Sequence, residues 1–259
     1  MSKSKYSSNN KYVIVLIVRI ISIILIGISS YYIFLWYLDN KNTADTLNSI
    51  LDNANISYEK IELNNNLQTS ILKVDFDKIM TLNQDIVGWI NVLGTDINYP
   101  VVQTTDNDFY LTHSFDKSYN KSGWIFADYT NINIKENNLD KNTVIYGHNR
   151  KNNSMFGTLS NTLKEEWQNN MENRYINFST LNQNMVWQVF STYTIESEDY
   201  YIKTHFSSDI EYNEFLNTIK SRSNYNFNVD ISTDDKVLTL STCTNIGKGR
   251  SVLHAKLIK

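Results

Sequence analysis

Val237-Leu238-Thr239-Leu240-Ser241-Thr242-Cys243 has the composition of a strand, mostly apolar or β-branched, and it ends on the chain's only cysteine. Upstream of it, Asp209 to Arg222 can set Ile210, Phe215, Leu216 and Ile219 on one helix face, with Asp209 as the expected N-cap. Farther back the chain is a succession of short β-branched and aromatic runs separated by Asn, Asp, Gly and Ser clusters. These are Gly88–Val92, Ile97–Val102, Trp124–Ala127, Thr143–Tyr146, Arg174–Phe178 and Met185–Thr194. Downstream, a polar loop from Thr244 to Gly249 leads through Arg250 to a last run, Val252–Ile258. Eight such runs at irregular short spacing predict a mainly β fold, a closed or nearly closed eight-stranded barrel with a helix inserted before the seventh strand.

Composition narrows the class. In 259 residues, 41% are hydrophobic and 13% aromatic, enough for a packed core and unlike a disordered chain. A formal net charge of -3 offers no basic stripe for phosphate contacts, so nucleic acid is not an expected partner. A single cysteine cannot form an intramolecular disulfide, and stability must rest on packing.

The N-terminal region indicates the compartment. From Ile20 to Leu38 no residue carries a charge, and Tyr12 to Val18 extends the apolar run upstream of Arg19, giving the length a bilayer requires. Lys3, Lys5 and Lys11 precede the run and Asp39 follows it, so the positive-inside rule predicts a single-pass type II anchor with the bulk of the chain extracellular. A cleaved signal peptide and a buried core helix compete with this reading. Against the first stand the length of the run and the aromatic belt of Tyr31, Tyr32, Trp36 and Tyr37. The resulting division is a cytoplasmic tail over 1–11, an anchor over 12–38, an extracellular spacer with some helix over 39–68, and the β-barrel domain over 69–259. Ile71, Leu72, Phe76 and Ile79 recur at helical spacing and predict a short helix on the edge of that domain.

Three residues could carry chemistry. Cys243, at a strand end, is either a nucleophile or a small buried apolar group. His148, in Tyr146-Gly147-His148-Asn149 after a predicted strand, is the kind of partner a thiolate needs, whereas His113, His205 and His254 read as exposed or packed. Arg250 is either a solvated turn residue or a fixed guanidinium for a developing oxyanion. Residue by residue, these alternatives stay open.

Taken together, a TLSTC strand, an upstream YGHN, a downstream arginine and an N-terminal anchor resemble the sortases of Gram-positive bacteria, over about residues 70–259. Ser241 in TLSTC, the helix before the cysteine strand, the helical N-terminal extension, Val87-Gly88-Trp89-Ile90 and Tyr99-Pro100-Val101-Val102-Gln103 are similar to class B. The resemblance implies a sortase-like barrel with N-terminal helices, acting as a cysteine transpeptidase with Cys243 as nucleophile, His148 as proton carrier and Arg250 as oxyanion cation. It implies a substrate groove lined by Asn107 and Leu111 from Asp106-Asn107-Asp108-Phe109-Tyr110-Leu111, and by Tyr201, Ile202 and Ser197, with Ser241 and Thr242 beside the thiol. The implied partners are secreted proteins ending in an NPxT-like sorting signal, a peptidoglycan amine and the membrane, with no metal or organic cofactor. Two departures stand out: the loop from Cys243 to Arg250 is short, and Thr244 occupies a position where some class B members carry an acid. A thioester-hydrolysing peptidase, a pilin-polymerising enzyme and an anchored binding barrel with a structural cysteine remain as rivals.

Overall fold

A computed structural model describes residues 4–63, 67–136, 138–196, 198–243 and 249–259, with the backbone alone for 4–10, Leu67 and Cys243. The chain divides into two units, Met1–Ala44 and Asp45–Lys259. Helix α1 (Ser4–Asn53) makes up the described part of the first unit and ends in the second. Its large apolar side chains from Tyr12 to Tyr37 are mostly exposed, and none of its most apolar window is buried. In water such exposure would cost on the order of 25 cal/mol per Å². A bilayer solvates the same side chains while the helix satisfies its own backbone, so this element has the length and composition of a membrane span.

In the second unit the last turns of α1 bury Ile50, and Ala54 just beyond them is buried as well. The helix stops where Asn55 adopts a φ of 42°, a left-handed conformation that a short polar side chain tolerates, and the Asn55 amide donates to Asp75. Strands β1 (Ser57–Leu63) and β2 (Leu67–Lys73) then form an antiparallel pair. The pair is joined to the barrel by polar side chains: the Leu72 N–H donates to Asn177 Oδ1 and the Leu72 carbonyl accepts from Ser179 Oγ. The expected helix from Ile71 to Ile79 is therefore corrected. Ile71 and Leu72 belong to β2, and helix α2 (Phe76–Leu82) begins only after Asp75, whose carboxylate accepts from the Asp77 N–H. Likewise 57–63, read within a partly helical spacer, is strand. Local spacing cannot register a hairpin partner or a docking strand, and these override it here.

Eight strands close the barrel in the order β10-β8-β7-β3-β4-β5-β6-β9. In chain order they are β3 (Ile86–Val92), β4 (Asn98–Val102), β5 (Phe126–Ala127), β6 (Asn142–Tyr146), β7 (Tyr175–Thr180), β8 (Val186–Ile195), β9 (Val237–Cys243) and β10 (Arg250–Leu257). Each coincides with one of the eight runs read from the sequence. The β4–β5 and β6–β9 pairs are parallel and the others antiparallel. Trp89, Trp124, Trp187 and Phe178 are fully enclosed in the core they share.

A short helix α3 (Glu165–Asn169) lies between β6 and β7, and α4 (Asp209–Ser221) is the insertion before β9. Two details of α4 differ from expectation. Its N-cap is Ser208, whose hydroxyl accepts from the Glu211 N–H, so Asp209 sits in the first turn. Its buried stripe is Tyr212, Phe215, Leu216 and Ile219, the i, i+3, i+4, i+7 set, and Ile210 points away at 75% exposure because it lies two residues off that stripe.

The start of α4 is clamped by Glu211. Its carboxylate accepts from Lys203 Nζ, and from Ser207 N (2.7 Å) and Ser207 Oγ (2.8 Å), which hold its pKa down at about 2, the lysine bond being the largest cause. A depressed carboxylate contributes stability that is present above the unfolded value of 4.5 and lost as pH falls toward about 2. Glu211→Gln should therefore weaken the clamp at about pH 6 and flatten the loss of stability between about pH 6 and about pH 3. Urea unfolding of the full chain in detergent micelles measures this, and an unchanged pH dependence in the variant would sink the assignment.

Candidate active site

The parallel ladder of β6 and β9 sets Tyr146 opposite Ser241, and the strand ends are tied beyond that pair. The Gly147 N–H donates to the Ser241 carbonyl (3.4 Å), and Thr242 Oγ1 donates to the Gly147 carbonyl (2.7 Å). A Cβ at Gly147 would stand 2.8 Å from the Phe156 ring, so the residue before His148 has to be glycine for this close approach. On the other side of β9, the antiparallel register with β10 pairs Cys243 directly with Arg250. Arg250 therefore stands opposite the cysteine although only six residues separate the two in sequence.

His148 is partly exposed at the end of β6, and its Nε2 lies 2.7 Å from the Leu111 carbonyl oxygen. A carbonyl only accepts, so Nε2 carries a proton and Nδ1 is the nitrogen left for proton exchange. The backbone around this contact is tight. Gly123 has a φ of 59°, and a Cβ there would come within 2.6 Å of the Tyr110 carbonyl and 2.9 Å of the His148 ring. Arg250 is partly buried, and its Nη1 donates to the Gly249 carbonyl (3.2 Å).

His148 and Arg250 open onto a cleft of about 570 Å³. Asn107 and Leu111 line it, as do Tyr201 and Ile202 from the segment before α4, and Ser241 and Thr242 belong to its lining as well. Every groove residue expected from the sequence therefore borders one cleft, except Ser197, which lies outside the described residues, as does Thr244. The hydroxyls of Ser241 and Thr242 are already engaged, Ser241 Oγ with Tyr201 OH (2.9 Å) and Thr242 with the Gly147 carbonyl, so they stitch the cleft together.

Other residues of this region were not singled out from the sequence. Phe126 and Tyr146 line the cleft, and Asp128, almost fully buried, lies behind it. Asp128 Oδ2 accepts from Tyr146 OH (2.8 Å) and Asn107 Nδ2 (3.0 Å), while Oδ1 accepts from the Thr130 N–H and hydroxyl. Burial first, and the Asp128 carboxylate second, push the Tyr146 phenol far above its ordinary value, so it stays a donor. Tyr146 had a legible signal, standing two residues before His148 in the same short motif. Asp128 had none, because its role exists only through partners distant in sequence. Among the described residues no three His, Cys, Asp or Glu side chains converge as a metal site would.

Known proteins resemble this chain over most of its length. A sortase domain family matches residues 90–258. A sortase B of Listeria monocytogenes is 35% identical over 213 residues, covering 81% of this chain and 84% of the relative. A sortase B of Staphylococcus aureus is 34% identical over 250 residues, covering 94% and 96%. Among solved structures, sortase B from Bacillus anthracis superposes with a TM-score of 0.72 at 35% identity, over 86% of this chain and 99% of that one. A Staphylococcus aureus sortase B–substrate complex gives 0.65 at 37% identity, over 71% and 84%. With the barrel, the inserted helix and relatives of class B covering most of its length, the chain belongs to the sortase family, as a cysteine transpeptidase of the sortase B type.

Proposed function

We propose that the chain cleaves a C-terminal NPxT-type sorting signal after its threonine and joins the released protein to a peptidoglycan amine. The observation that carries this reading is the shared end of three neighbouring strands, where position 243 stands opposite Arg250 and beside the strand that leads to His148. Cross-strand partners share a face, which suits a thiol and a guanidinium acting on one carbonyl. The lysines before the apolar run support an orientation with 1–11 in the cytoplasm, 12–38 in the membrane, 39–68 connecting, and 69–259 acting outside.

In the proposed sequence the Cys243 thiolate adds to the carbonyl carbon of the signal threonine, and the oxygen becomes an oxyanion facing the Arg250 guanidinium and a backbone N–H near Cys243. The C–N bond breaks as His148 gives the Nδ1 proton to the departing amine, which leaves a thioester. An acceptor amine then attacks the thioester and yields its proton to Nδ1. The C–S bond breaks and the thiolate returns. Throughout, the Leu111 carbonyl holds the Nε2–H, which orients the ring.

Cys243→Ala should abolish cleavage of a fluorogenic NPxT peptide by the full chain in detergent. His148→Ala and Arg250→Ala should each lower turnover by about a hundredfold or more, the scale of losing a general acid or an oxyanion donor. Arg250→Lys should restore little, because an ammonium lacks the planar fork. Residual cleavage of more than about a few per cent in the cysteine variant, with unfolding controls unchanged, removes Cys243 as nucleophile.

Specificity tests the class-level reading separately. Peptides beginning Asn-Pro should outcompete those beginning Leu-Pro, since a groove that hydrogen-bonds an amide leaves buried polar groups unpaired when leucine enters. At about 1–3 kcal/mol per unpaired group, the ratio of kcat/KM values should be roughly tenfold to a hundredfold or more. Equal rates for NPxT and LPxT peptides in direct competition would contradict the proposed signal.

A further inference from the structure

Beneath the cleft wall, buried polar side chains from four neighbouring strands are joined in one string. His254 is wholly buried on β10, opposite Thr239 on β9. Its Nδ1 lies 2.9 Å from Thr239 Oγ1 and its Nε2 lies 2.9 Å from Tyr193 OH. Tyr193 OH in turn accepts from Tyr200 OH (3.3 Å), in the wall segment. On the other side Thr239 Oγ1 donates to Asn142 Oδ1 (2.6 Å), and Asn142 Nδ2 donates to the carbonyls of Tyr201 (3.2 Å) and Lys203 (2.9 Å). The string leaves the wall at Tyr200, crosses β8, β10, β9 and β6, and rejoins the wall at Tyr201 and Lys203.

Donor and acceptor arithmetic allows this string one direction only. Two backbone carbonyls require the Asn142 amide nitrogen, so Oδ1 faces Thr239 and the threonine must donate to it. Having spent its proton, Thr239 can only accept from His254, which puts the ring proton on Nδ1. A neutral ring then offers Nε2 as acceptor to the Tyr193 hydroxyl, which is left to accept from Tyr200. A second ring proton would set a donor against the Tyr193 proton and break the order. Burial opposes that proton, lowering the His254 pKa to about 3. Cross-strand pairing adds the connection to the site: Thr239 and His254, Ser241 and Val252, and Cys243 and Arg250 are alternate pairs of one ladder.

We infer that His254 is a positioning residue: as a neutral ring protonated on Nδ1, it completes the string that holds Tyr200–Lys203 in place and thereby sets the affinity of the groove for its peptide signal. The inference rests on the cleft being the substrate groove. A fully satisfied buried network specifies one arrangement of the segments it joins, whereas apolar packing tolerates several. Tyr200, whose ring also lies 5.1 Å from the Arg222 guanidinium, is the partly exposed end of the string and can be cut without opening a core cavity.

The test uses the full chain in detergent micelles and the variants His254→Leu, Thr239→Val and Tyr200→Phe. In the wild type, nitrogen NMR of the histidine rings should find His254 neutral, with its proton on Nδ1. The variants should raise KM for an NPxT peptide about tenfold while kcat stays within about twofold, the scale of one lost buried hydrogen bond. Amide exchange should accelerate at Tyr200–Lys203 more than elsewhere in the barrel, and the rate of Cys243 alkylation should not change. A proton on Nε2, or unchanged exchange in a folded Tyr200→Phe chain, overturns the inference, as does faster exchange with an unchanged KM. If His254→Leu does not fold, Tyr200→Phe and the wild-type ring state decide alone. A wild-type chain that cleaves no signal peptide would defeat the substrate reading itself, and the NMR and exchange arms would still decide whether the string positions the wall.

Discussion

The parallel pairing of β6 with β9 is the constraint from which the site follows. Parallel neighbours cannot be joined by a tight turn, so the chain that leaves Tyr146 must travel through β7, β8 and α4 before it returns at Val237. Because both strands run the same way, both end at one edge of the barrel. His148 and Cys243 arrive at that edge together although a long crossover separates them. β10 then starts where β9 stops, which places Arg250 across from the cysteine position. An antiparallel β6–β9 pair with the same residues would send histidine and cysteine to opposite ends.

The crossover also supplies one wall of the cleft. Tyr200–Ile202 and α4 belong to it, and their position over the strands is set by buried polar groups as well as by the apolar stripe of Tyr212, Phe215, Leu216 and Ile219. Ser191 Oγ donates to the Ile219 carbonyl (2.6 Å), and Tyr212 OH donates to the carbonyls of Lys141 and Asp235. Polar groups buried in this way stabilise only when every partner is present. The benefit is directional, since a hydrogen bond specifies which group lies where and an apolar contact does not.

The barrel was legible because its strands are short and rich in β-branched and aromatic residues, and the eight runs needed only small changes at their ends. The cleft lining followed from resemblance: Ser241 and Thr242 sit near the end of β9, and Asn107, Leu111, Tyr201 and Ile202 belong to the turns between strands. What stayed hidden depends on distant partners. β1 and β2 alternate too weakly to announce a hairpin docked by Asn177 and Ser179, and Leu72 could be read equally well on a helix. Asp128 and Asn142 are ordinary polar residues in the sequence, and His254 reads there as exposed or packed, with nothing to show its burial or its partners. At Ile210 the error was one of phase: a stripe that begins at Tyr212 excludes a residue two positions earlier.

The two walls of the cleft limit recognition in the same manner. On one side, Asn107 Nδ2 is spent on Asp128 and Asn107 Oδ1 accepts from the Tyr129 N–H (3.0 Å), which fixes the orientation of the amide. An amide has two donors and two acceptor lone pairs, so these two bonds leave one donor and one lone pair for a ligand. On the other side, the Tyr201 carbonyl is held by Asn142 and the Tyr201 hydroxyl by Ser241. The amide of Asn107 and the carbonyl and hydroxyl of Tyr201 are thus committed to protein partners, and the remaining capacity at Asn107 is one donor beside one acceptor. That pair is self-complementary to another carboxamide, and an aliphatic side chain would leave both halves unpaired. A fixed arrangement of this kind discriminates through the penalty on the wrong residue more than through added attraction for the right one.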